Sequence, residues 1–391
     1  MSGFLFVVPP LTGHINPAVG VAAELDARGH RVAWVCPDPA LVRRLAGDRA
    51  RVFPCAGAAE GSRPPELRGP EALRFLWEWY LLPLAEAMAP GVRAAVEAFR
   101  PDVVVADQQA FAGALVAERL GVVWATSATT SAEFTDPLAG LPRVRAWLEE
   151  RLAGLRAAIG DPAGGSDPRF SPHLVLAFST PELAVPAAGP AGAVGGVRWV
   201  GPSIAARPSA TGFPWEWLDA GRATVLVTLG TANSDVGGRF LDVCRDALRE
   251  RADRVQGVIV DPGATLGGAD DGKDVLVVPF VPQLPLLARA DAVVCHAGHN
   301  TVCEALWHGV PLVVAPIRDD QPVVAGQVAD AGAGVRVRFG RVTVPKLGAA
   351  LDSVLREPGY RAAADRIRTA FRAAGGAPAA ADHLDELARE L

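Results

Sequence analysis

Lysine is nearly absent from this 391-residue chain: Lys273 and Lys346 are the only two, and arginine carries the rest of the positive charge. With abundant Ala and Gly, that bias suggests a GC-rich bacterial genome and says nothing about chemistry. Cysteine is also scarce. Cys36, Cys55, Cys244, Cys295 and Cys303 are odd in number and form no CxxC pair. A disulfide framework is therefore disfavoured, and reduced thiols in a cytoplasmic protein are expected. No charge-free apolar run reaches spanning length, and Met1 to Pro10 lacks the basic segment of a signal peptide. The formal net charge of −5 gives no general attraction to nucleic acid or acidic membrane. A GxxxxGK[ST] loop is missing, no GxGxxG follows the first strand of either half, and no DxD pair is placed to hold a metal–nucleotide. Kinase and dehydrogenase readings lose their main support. Nor is there an internal repeat of solenoid period.

What is present is ample core material. Half of the residues are hydrophobic and 21% are charged, over a length that exceeds one ordinary core. Short Val/Ile/Leu-rich runs at residues 4–8, 31–36, 101–106, 122–125 and 174–178 read as strands. A helix at 16–28, closed by Gly29, and further helical segments separate them. After a Pro/Gly/Ser-rich interval the pattern resumes, with strands expected at 224–229, 255–260, 274–278, 292–295, 311–315 and 335–337. The class is α/β: two Rossmann-like βαβ domains facing across a cleft, with ligands beyond the carboxyl ends of the strands. The boundaries expected are 1–205 for the first domain, 206–221 for a linker, 222–375 for the second domain and 376–391 for a terminal helix packing back on the first. Residues 157–169 read as a mobile loop.

Several polar residues fall at predicted strand ends. His14, in "PPLTGHINPAVG", is placed in a turn before a helix, as a proton acceptor or as a plain helix cap. Asp107 ends "PDVVVAD" and either caps the next helix or orients His14 as in a base–carboxylate pair. "CHAGHNTVCEALWHG" (295–309) reads as strand, turn and helix start, where backbone N–H groups attract a diphosphate and His296 adds a donor. Thr301 and Glu304 there also match a capping box, and Cys295, His296, His299 and Cys303 have poor spacing for zinc. Gly230 and Thr231 suit close approach to a phosphate or a simple tight turn. Asp319, Asp320 and Gln321 bind sugar hydroxyls or begin the next helix. The dense aromatics Phe75, Trp77, Trp79 and Tyr80 fill a core or line an acceptor pocket.

In this order the motifs resemble the inverting natural-product glycosyltransferases of the GT-B fold, a group that includes macrolide, plant and glucuronosyl transferases. The resemblance spans nearly the whole chain. It is strongest over residues 280–335, "FVPQLPLL" through "CHAGHNTVCEALWHGVPLVVAPIRDDQPVVAGQVADAGAGV". It implies His14 as catalytic base and Asp107 as its partner. It implies Phe280 near the base, Val281 as a backbone contact and Gln283 near the ribose. His296 and the N–H groups from Gly298 through Asn300 to Thr301 would hold the diphosphate, with Glu304 on the ribose hydroxyls and Asp320 and Gln321 on the sugar. Phe75, Trp77, Trp79, Phe111 and Phe134 would line an apolar acceptor. Plant relatives usually carry Trp where this chain has His299, which leaves contacts there open. Many deoxysugar transferases lack an acid at the Glu304 position, so its presence favours a UDP-sugar over a dTDP-sugar. Asp320–Gln321 favour a fully hydroxylated hexose.

The implied co-substrate is a nucleotide diphosphate sugar, with no metal or other cofactor. The implied partners are that donor and a small-molecule acceptor, without nucleic acid or membrane span, in a monomer or homodimer. The rivals are a sugar-nucleotide epimerase or hydrolase on the same scaffold and a non-catalytic partner in a biosynthetic complex.

Overall fold

The computed structural model describes residues 1–58, 64, 67, 69–184, 196–204, 212–230, 237–267 and 270–391. They form two compact units. One comprises the described residues within Met1–Pro181, Ala187–Arg207 and Ala373–Leu391, the other those within Glu182–Pro186 and Pro208–Arg372.

The first unit is built on seven parallel strands: β1 (Gly3–Val7), β2 (Arg31–Cys36), β3 (Val52–Pro54), β4 (Val103–Asp107), β5 (Val123–Ala128), β6 (Leu174–Ala177) and β7 (Val197–Trp199). Their order is β3-β2-β1-β4-β5-β6-β7. β1 and β4 are buried along their whole length, because helices cover both faces of the sheet. Phe4, Phe6, Val103 and Val105 point into one core with the helices Thr12–Ala27 and Gly376–Arg389. Leu5, Val7, Val104 and Ala106 alternate into the other, under Leu82–Phe99 and Phe111–Arg119. The terminal helix is also held by charge: Arg28 reaches Asp382 at 2.7 Å, and His30 Nε2 lies 2.7 Å from Asp385.

The second unit repeats the plan with β8 (Ala223–Thr228), β9 (Val255–Val260), β10 (Asp270–Asp271), β11 (Val275–Val278), β12 (Ala292–Cys295), β13 (Leu312–Val314) and β14 (Gly334–Arg336). The order is β10-β11-β9-β8-β12-β13-β14, parallel except for β10 against β11. Residues 182–184, expected in the first domain, group with this unit, where Gln327 Nε2 donates to the Ala184 carbonyl at 3.0 Å.

Two local expectations are corrected. The helix expected from residue 16 begins at Thr12, so His14 lies in its first turn and not in a loop before it. Gly13 and Pro17 hide that start. Pro17, inside the helix, cannot donate the hydrogen bond that would run back to Gly13. Residues 157–159 finish the helix Pro142–Ile159, and the loop after them is tied down. Glu118 receives Arg156 and the Ser166 hydroxyl, while Arg169 pairs with Glu133 at 2.7 Å. The aromatic stretch contains a π-helical turn, Leu76–Leu81, which joins helices Gly69–Phe75 and Leu82–Phe99.

Candidate active site

Both sheets reverse their winding order beside the first strand, and polar residues gather there. In the first unit the reversal lies between β1 and β4. His14 follows β1, Asp107 ends β4, and Thr129 comes one residue after β5. Parallel pairing of neighbouring strands thus brings together residues 93 and 22 positions apart. His14 Nδ1 lies 3.0 Å from each Asp107 carboxylate oxygen and 2.8 Å from the Thr129 hydroxyl oxygen. Thr129 Oγ1 donates to Asp107 Oδ2 at 2.9 Å, and the Gln109 N–H donates to Oδ1 at 2.8 Å.

These contacts fix the tautomer. A hydroxyl has one proton, and that of Thr129 goes to Asp107; an ionised carboxylate only accepts. Nδ1 must therefore carry the ring proton, which leaves the basic lone pair on Nε2. Asp107 is fully buried and the His14 side chain is 16% exposed, so the carboxylate is shielded while the ring reaches the surface. Thr129 is the residue that sequence reasoning missed. Its signal is the hydroxyl-rich run "TSATTS" (126–131), straddling the end of a buried strand.

In the second unit the reversal lies between β8 and β12. Gly230 follows β8, and His296 follows β12. Two glycines approach the Nε2–Cε1 edge of the His296 ring. A Cβ on Gly230 would come within 2.8 Å of ring atom Cε1, and one on Gly298 would overlap Nε2. Gly298 is also the N-cap of the helix His299–Trp307 and supplies no side chain to its first-turn N–H groups. Ala297 bends the chain into the helix at φ 66°. Buried His296 Nδ1 has no protein partner. A helix start with no side chain over its first N–H groups fits a diphosphate. Thr231, expected beside Gly230, lies outside the described residues.

Burial pushes the His296 imidazole down from 6.5 to about 4, against the upward pull of its hydrogen bond to the Thr228 backbone. At neutral pH the ring is therefore uncharged. The same shift makes stability depend on pH. The unfolded chain takes up a proton below 6.5 and the folded unit does not until about pH 4. Stability is full above that window and falls through it, by at most about 3 kcal/mol. His296→Gln should flatten this component, visible as a difference between wild-type and variant urea midpoints from pH 4 to 7. Identical slopes would contradict it.

Glu304 is buried and is the sixth residue of its helix, so the capping-box expectation is corrected. The helix starts at His299, which puts Thr301 in the first turn and Glu304 beyond capping range. Instead Gln283 donates to Glu304 Oε2 at 2.6 Å, and Asn300, one turn back on the same face, donates to Oε1 at 2.7 Å. Phe280, 59% exposed, and half-buried Val281 follow β11. Asp320 is the N-cap residue of the helix Gln321–Asp330 without a side-chain cap bond. The Gln321 side-chain oxygen accepts from the Ile317 and Arg318 N–H groups, bracing the turn after β13.

The five aromatics separate into three groups. Trp77 stacks on Phe111 at 5.3 Å, both buried among Leu81, Leu115 and Leu148. The acceptor expectation for these two is corrected: they are core side chains. Phe75 stacks on Trp79, which is 69% exposed. Phe134 lies 5.7 Å from Phe170 and 4.9 Å from Trp199. Among the described residues no three His, Cys, Asp or Glu stand together as a metal-ligand set. Among them too, no helix is long and apolar enough to cross a membrane.

Two doubly wound parallel-sheet units are the architecture of the GT-B glycosyltransferases. Residues 215–372 match the family described as UDP-glucoronosyl and UDP-glucosyl transferase, and residues 12–159 match a glycosyl transferase 4-like domain. Demethyllactenocin mycarosyltransferase of Streptomyces fradiae is 32% identical, over 99% of this chain and 87% of its own. The 4'-demethylrebeccamycin synthase of Lentzea aerocolonigenes is 31% identical, over 98% and 99%. The solved glycotransferase of kitacinnamycin superposes with a TM-score of 0.81 at 25% identity, covering 99% of this chain and 98% of that one. The chain belongs to the natural-product glycosyltransferases of the GT-B fold, enzymes that pass a sugar from a nucleotide diphosphate donor to a small acceptor.

Proposed function

We propose that the protein transfers a hexose, with inversion, from a UDP-sugar to a hydroxyl of a small apolar natural product, with dTDP-sugars as the second choice of donor. The observation that carries this reading is the contact of His14 Nδ1 with both carboxylate oxygens of Asp107. Nε2 removes the acceptor proton as the hydroxyl attacks the anomeric carbon from the side opposite the diphosphate. Asp107 stabilises the imidazolium that results. The departing diphosphate is received by the helix start at His299 and by neutral His296, with no metal ion required. The Glu304 carboxylate, preset by Gln283 and Asn300, supports recognition of both ribose hydroxyls and hence UDP. Asp320 and Gln321 are assigned to the sugar. Phe75, Trp79 and Phe134 are assigned to the acceptor, whose natural-product class is supported by the names of the two relatives. Cysteines free of disulfides are consistent with a cytoplasmic setting.

A donor-by-acceptor screen, read by nucleotide release and product mass, tests this reading. Nucleotide release that matches glycoside formation is expected. Release or epimerisation of UDP-hexose without acceptor would favour the hydrolase or epimerase, and no turnover with any pair would favour a non-catalytic partner.

A further inference from the structure

The described contacts give Thr129 more to do than fill space. It is 5% exposed, one residue past β5, and none of its hydroxyl capacity goes to the strand ladder. Its single proton is donated to Asp107 Oδ2 at 2.9 Å, and its oxygen lies 2.8 Å from His14 Nδ1. The three side chains close a triangle. Asp107 alone presents two oxygens at the same 3.0 Å from Nδ1, so it constrains the tautomer but tolerates rocking of the imidazole in its own plane. The Thr129 oxygen adds a third point beside the Nδ1–H and removes that freedom. Its proton, committed to the carboxylate, prevents Thr129 from donating to Nδ1 and so disfavours the tautomer with its proton on Nε2, which could not accept one.

We propose that Thr129 is a positioning residue for sugar transfer, locking the His14 ring plane and tautomer through Asp107. Buried Thr129 acts through His14, and the proposal rests on His14 being the base. No atom changes hands at Thr129: the acceptor proton moves to His14 Nε2, the Nδ1–H stays in place, and the Thr129 O–H stays on Asp107.

The test is steady-state kinetics of Thr129→Val and Thr129→Ser, alone and combined with His14→Ala, alongside UDP titration and thermal unfolding. Valine keeps the shape and removes the hydroxyl. It should lower kcat by roughly 10- to 100-fold, the rate equivalent of one hydrogen bond to a charged group, with KM for donor and acceptor unchanged. Serine should restore most of the loss. In the His14→Ala background Thr129→Val should cost nothing further, because the group it positions is gone. Turnover of Thr129→Val within twofold of wild type, with His14→Ala strongly impaired, would overturn the positioning role and leave the base in place. An equal loss in both backgrounds would also overturn it, by showing a purely structural effect. Full turnover of His14→Ala would overturn the base, and the positioning role with it. If valine prevents folding, serine decides: loss of kcat despite the retained hydroxyl would count against the proposal.

Discussion

His14→Ala is expected to lower turnover by about 10²- to 10⁴-fold, the range for a positioned general base, while leaving nucleotide affinity unchanged. The separation follows from where the residue sits. His14 belongs to the first unit, whereas Gly230, His296 and the helix start at His299 belong to the second. Removing the imidazole should not collapse its surroundings either. Asp107 would still accept from the Gln109 N–H at 2.8 Å and the Thr129 hydroxyl at 2.9 Å, so its buried charge stays satisfied. Turnover measured against UDP titration by calorimetry gives both numbers on one preparation. Near-wild-type turnover would remove His14 from the chemistry, and a matching loss of UDP binding would make it a structural residue.

Gly298→Ala should produce the complementary defect. An added Cβ would overlap His296 Nε2 and lie 2.7 Å from Cε1, so the ring must move. Backbone strain is not the cause: Gly298 has φ −62°, which alanine adopts readily. The methyl group should displace the imidazole and crowd the first-turn N–H groups together, losing a hydrogen bond to a charged oxygen. UDP affinity should fall roughly 10- to 100-fold. Calorimetric titration of the variant checks this, with far-UV circular dichroism to confirm the fold. Unchanged affinity would mean that the diphosphate binds elsewhere.

These two halves were unequally legible in the sequence. Strand ends announced His14, Asp107, Gly230 and His296, because apolar runs buried on both faces stop sharply at polar residues. Strands expected at 255–260 and 292–295 match β9 and β12. That His14 touches Asp107 was not readable from positions 93 apart; it follows from β1 and β4 being neighbours at the winding reversal. β3, β7 and β10, of three, three and two residues, are too short for any periodicity to register. Thr129 escaped because a threonine after a β-strand is ordinary until a carboxylate is beside it. Glu304 was misread for a different reason: its spacing from Thr301 mimics a capping box, yet Gly298 starts the helix earlier. The aromatic run left its role open because residues two apart face opposite sides of a helix, so Trp77 is buried while Trp79 is exposed.

Single displacement at the anomeric carbon, driven by one oriented imidazole, has a direct stereochemical signature. Supplied with UDP-α-glucose, an apolar alcohol acceptor and excess EDTA, the enzyme should yield a product whose anomeric proton shows the large coupling of a β-glucoside. An α-glucoside under the same conditions would contradict the account.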